Sequence, residues 1–124
     1  MYETIIMLKP EATFTVDELQ TVVERVAQTG KRSVVQRKGS TVRVTQGKAI
    51  LDICWNNSAH VLTESNEIAK RFGIPSQGCR GRFEMRADDP DMDLFNDYLI
   101  INEHLEETGK FVIFDIHERK LLFD

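Results

Sequence analysis

The residues best placed to do chemistry in this sequence are arginines on one strand face. In the alternating segment Cys79–Ala87, the residues Cys79, Gly81, Phe83, Met85 and Ala87 point one way and Arg80, Arg82, Glu84 and Arg86 the other. Neighbours at i and i+2 on a strand stand roughly 7 Å apart. Guanidinium forks match carboxylate and phosphate geometry. A row of Arg80, Arg82 and Arg86, with Arg43 as a further candidate, would suit a small anion, an RNA backbone or an acidic partner surface. The plainer reading is a solvated sheet face with cross-strand ion pairs. Glu84 lies within the row, and Asp52 sits on the opposite side of its strand from Trp55. Surface pairs of that kind contribute only ~0–1 kcal/mol.

The second constellation is acidic. Asp89, Asp91 and Asp93 have the 1-3-5 spacing of a calcium loop, but Leu94 stands where the loop needs glycine and Ile100 where it needs a bidentate glutamate. Helix capping explains these acids better, and no metal is expected. Asp91, Asp97, Glu103, Glu106 and Glu107 then form an acidic helix surface that would dock a basic partner. The plainer reading there is the solvated side of an amphipathic helix.

The third is Cys54 with His60, at a strand-to-helix junction that also holds Trp55 and Asn56. A Cys–His pair is a candidate nucleophile. The two residues fall on different elements with no third group to orient them, and cysteine often serves as a small buried hydrophobe. Trp55, the only tryptophan, falls on the apolar side of its strand and is expected in the core. The sequence contains no G-x-S-x-G, P-loop, dinucleotide fingerprint or H-E-x-x-H. Binding is therefore favoured over catalysis, and no cofactor is expected.

The segment Thr4–Ala12, TIIMLKPEA, resembles the opening strand of nucleoside diphosphate kinases. That resemblance implies a catalytic histidine in an N-x-x-H-G-S motif. None of His60, His104 and His117 lies in one, so the chain is not assigned to that family.

Composition narrows the setting. The chain has 124 residues, 41% hydrophobic and 29% charged, which suits one globular domain spanning 1–124. Its net charge of −4 disfavours a general nucleic-acid binder. No apolar run approaches the roughly 20 residues of a membrane span, and no signal peptide is visible, so a cytoplasmic protein is expected. Cys54 and Cys79 fit that compartment as free thiols. Charge is segregated: Arg25, Lys31, Arg32, Arg37, Lys38, Arg43 and Lys48 occupy a stretch without acids, while Ala87–Gly109 carries eight acids and no Lys or Arg. Such polarity points to a protein partner, or to self-association into a homo-oligomer.

The elements that must position these residues are well punctuated. Tyr2–Leu8 is a buried strand stopped by Lys9-Pro10. Thr15 and Glu18 form a capping box opening a helix, with Phe14 and Leu19 spaced as a staple and Gly30 as the stop. Ser33–Lys38, Thr41–Thr45 and Lys48–Trp55 form an antiparallel meander through Gly39-Ser40 and Gln46-Gly47 turns. Ser58–Phe72 is a helix closed by Gly73; Cys79–Ala87 is a strand. Asp89 caps a third helix with Pro90 at its first position, and Gly109 ends it. Phe111–Ile116 is a strand, with a short one at Leu121–Phe123. The order β-α-β-β-β-α-β-α-β(-β) predicts an α+β fold: a mainly antiparallel sheet of five to seven strands with three helices on one face. A parallel crossover in the first β-α-β is the alternative.

Overall fold

The computed structural model describes residues 2–27, 33–73 and 81–122. Its elements run β1 (Tyr2–Leu8), α1 (Val16–Ala27), β2 (Val34–Lys38), β3 (Thr41–Gln46), β4 (Ala49–Asn56), α2 (Ala59–Arg71), β5 (Arg82–Asp88), α3 (Phe95–Glu107), β6 (Phe111–Asp115) and β7 (Lys120–Leu121). The α+β expectation holds. The strands form one seven-stranded sheet in the order β2-β3-β4-β5-β1-β6-β7, and every ladder is antiparallel. Counting the reversals from β1 through β5, β4 and β3, strand β2 runs parallel to β1 but is not its neighbour.

Local chemistry accounts for most boundaries. The capping box forms in full: Thr15 N donates to Glu18 Oε1 at 3.1 Å and Glu18 N donates to Thr15 Oγ1 at 3.1 Å. Gly73 and Gly109 end α2 and α3 with φ of 66° and 72°, a conformation that penalises a Cβ. Gly30, the expected stop of α1, lies outside the described residues.

The helices do not share one face. Helices α1 and α3 cover the side that carries Ile6, Leu8, Val42, Val44, Leu51, Ile53, Phe83, Met85, Phe111 and Ile113, all buried. Helix α2 lies on the other side, where Ile68 packs with Ile5, Met7 and Phe114. Strand β1 therefore buries both sides, Ile5 and Met7 against α2 and Ile6 and Leu8 against α1 and α3. An uninterrupted apolar run is what a strand covered on both faces requires. The outer strands β2, β3 and β4 keep a polar side.

The third helix starts later than expected. Asp89 is buried, accepts from Asp93 N and Leu94 N at 2.8 Å each, and receives the Tyr2 hydroxyl at 2.5 Å. It thus organises a turn rather than opening the helix. Met92 in that turn has φ of 59°, which breaks a helical path, and the helix begins at Phe95.

Candidate functional site

The alternation of β5 places Arg82, Glu84 and Arg86 on the α2 side of the sheet, and the register supplies their neighbours. Arg43, Asp52, Arg86 and Glu3 are successive partners across β3, β4, β5 and β1, a ladder of alternating charge. Arg43 grips Asp52 bidentately, Nε–Oδ1 2.7 Å and Nη2–Oδ2 2.9 Å. The hydrogen bond to Asp52 is the main reason the Arg43 guanidinium holds its proton more tightly than usual. Arg86 Nε stands 3.4 Å from Glu3 Oε1. Arg80 and Cys79 lie outside the described residues.

Arg82 is buried under α2, at 5% exposure. Its Nη1 meets Glu64 Oε1 at 2.7 Å, and its Nη2 and Nε meet Glu84 Oε2 at 2.7 and 3.1 Å. Ser65 Oγ is 3.3 Å away, and Asn56 donates to the other Glu84 oxygen at 3.0 Å. Burial by itself would raise the Glu84 carboxyl. The hydrogen bonds from Arg82 and Asn56, with the Arg82 charge, outweigh it and hold Glu84 below its ordinary value. Arg82 thus fastens α2 to the sheet. Glu64 and Ser65 are the partners that sequence reasoning missed, because they come from a helix 17 or more positions away.

One of the five acids expected on the helix surface is turned inward. Asp91, Glu103 and Glu107 are exposed and Glu106 is half-buried, but Asp97 is buried at 2% exposure and cannot join a docking surface. Asp97 lies one position from the inward Tyr98, on the border of the apolar stripe, and the helix turns it inward. Asn96, Ile100, Glu103 and Glu107 repeat at three- and four-residue spacing on the outward side. Ile100 is 37% exposed, and Met92, in the turn before the helix, is 51% exposed. Tyr2, Phe95 and Tyr98 form an aromatic cluster, Tyr2 edge-on to Phe95 and Tyr98 at centroid distances of 5.3 and 4.5 Å and Phe95 stacked on Tyr98 at 5.9 Å. Burial pushes the Tyr98 hydroxyl up to about 12, and burial together with Asp89 raises Tyr2.

Cys54 and Trp55 point to opposite sides of β4. Trp55 is half-buried and packs against the core, on Phe83 at 4.9 Å, rather than within it, and Gly81 is needed there because a Cβ would come within 2.3 Å of the indole. The Cys54 thiol donates to the Trp55 carbonyl, and the His60 ring contacts Ser58 Oγ at 3.3 Å. Among the described residues no group of three or more His, Cys, Asp or Glu side chains is arranged to hold a metal. Nor is any described helix long and apolar enough to cross a membrane.

Compared with known protein families, characterised proteins and solved structures, the chain finds no match. The functional reading rests on these surfaces alone.

Proposed function

We propose that the chain is a small protein-binding module that docks a basic partner surface on the outward side of α3. A regulator, or a protective partner covering a basic protein, fits this description. The observation that carries the reading is the combination of Ile100 and Met92, both exposed, with Asp91, Glu103 and Glu107, none of which has a side-chain partner among the described residues. Apolar anchors within a polar rim are the usual anatomy of a docking patch. The arginine face supports the alternative, anion binding, less well. Arg43, Arg82 and Arg86 each already hold a carboxylate of their own chain, which an incoming anion would have to displace.

The test is affinity capture at low ionic strength, comparing the wild type with Ile100→Asp and with the double reversal Glu103→Lys/Glu107→Lys. All three positions are outside the core, so the variants keep the fold. A partner retained by the wild type, lost by both variants and released by salt is the expected result. Capture indifferent to these changes, or a monomer that captures nothing, refutes the proposal. Self-association abolished by the same variants would identify the partner as a second copy.

A further inference from the structure

The sheet face that carries α2 is only half covered. The apolar contacts of α2 fall on β1 and β6, and Arg82 at one end of β5 ties it down through Glu64. On the same face no residue of β2, β3 or β4 is buried. Val34, at 52% the most exposed large apolar side chain among the described residues, lies there in register with Thr45 and, beyond it, Ile50. An open polar face is common in antiparallel sheets, so exposure by itself says little. The charge pattern says more.

Two charged rows cross β2, β3, β4 and β5 in that order. One is Gln36, Arg43, Asp52, Arg86; the other is Lys38, Thr41, Cys54, Glu84. In a pair of identical chains, a two-fold axis lying in the interface along the strands exchanges the strands on its two sides. An axis on β3 would set Arg43 on Arg43 of the second copy, and one on β4 would set Asp52 on Asp52. An axis between β3 and β4 sets Arg43 on Asp52 and Lys38 on Glu84 of the second copy, twice each, and brings no like charges together. It also lays β5 against the edge strand β2, so that β1, with the helix it carries, falls beyond the second sheet. An axis one strand further, between β4 and β5, would drive α2 into β3 of the second copy.

From this we infer that the open half of the sheet is a self-association surface: two copies pack β2–β5 face to face about a two-fold axis between β3 and β4. No bond within a chain has to break, because each Arg43–Asp52 pair meets the reversed pair of the other copy. Strands about 4.8 Å apart and a rise of about 3.3 Å per residue give a face of roughly 300 Å² in plan. That is small for an interface, so the dimer is weak and forms at high micromolar concentration. The surface is independent of the α3 face.

The test is sedimentation equilibrium of the full chain, of Arg43→Asp, of Asp52→Arg, and of an equimolar mixture of the two variants. Either variant alone sets like charges on each other across the axis. The mixture restores opposite charges between the copies while the pair within each chain stays broken, so it separates contact between copies from stability of the fold. The expected result is a concentration-dependent dimer for the wild type, association at least about tenfold weaker for each variant alone, and recovery in the mixture. Ile100→Asp, on α3, leaves the dimer intact. A wild type that stays monomeric up to millimolar concentration, single variants that associate as the wild type does, a mixture no stronger than its components, or a dimer lost in Ile100→Asp overturns the inference.

Discussion

Replacing Arg82 by methionine tests the claim that this arginine is a fastening rather than a ligand contact. Methionine keeps an apolar stem of similar reach and removes every donor. The wild-type guanidinium is 5% exposed and bonds two carboxylates, whose side chains are 37% (Glu84) and 55% (Glu64) exposed. Removing one partner of a fully buried pair costs about 3–5 kcal/mol. Here both carboxylates reach water, so the Glu64 arm counts little and the Glu84 arm is partly discounted. The expected loss is about 2–3 kcal/mol at pH 7, read as ΔG of urea unfolding.

The pH dependence supplies an independent check. Glu84 is held below its unfolded value, so its contribution is present above the unfolded pKa of about 4.3 and is lost as pH falls through the lower folded value. In Arg82→Met, burial is no longer outweighed by Arg82 and Glu84 loses most of that depression. The stability gap between wild type and variant therefore narrows below about pH 4. A loss smaller than about 0.5 kcal/mol at pH 7, within the usual scatter of surface substitutions, would refute the reasoning. So would a gap that stays constant into acid.

Two further predictions concern the other side of the sheet. Gly81→Ala drives a Cβ to within 2.3 Å of the Trp55 ring, so it should destabilise by about 1–3 kcal/mol and shift the tryptophan fluorescence; unchanged emission and stability would contradict the packing. Tyr2→Phe removes the 2.5 Å hydrogen bond to buried Asp89 and should cost about 1.5–3 kcal/mol in thermal or urea unfolding, with faster amide exchange at Asp93 and Leu94. Unaltered exchange there would mean that Tyr2 does not hold the turn.

Features whose cause lies within a few residues were legible in the sequence. The Thr15–Glu18 box, the left-handed Gly73 and Gly109, and the alternation of β5 all formed as their local chemistry requires. The side of the sheet chosen by α2 was not. Its apolar stripe shows which side of the helix turns inward and says nothing about which sheet face receives it. The signal for a second covered face lay instead in β1, where the run Ile5–Leu8 does not alternate. Similarly, alternation put Arg82 and Arg86 on one side, but Glu3 reaches Arg86 only through the β1–β5 register, across more than 80 positions of chain. Pairing at that range is set by strand order, which local pattern does not encode.

The same register changes the meaning of the charge segregation. Two opposite segments in one chain invite the expectation that folding brings them together. Among the described residues, the cations of the basic segment that form ion pairs instead find acids from elsewhere: Arg37 takes Asp17 of α1, and Arg43 takes Asp52 of β4. Asp91 in the turn before α3, and Glu103 and Glu107 on the helix, all from the acidic segment, are left facing water. Carboxylates that are already solvated and unpaired lose no internal ion pair when a cationic surface arrives, whereas displacing Asp52 from Arg43 breaks two hydrogen bonds. This difference in what must first be broken is the physical reason for placing a basic partner on α3 and not an anionic one on the arginine ladder.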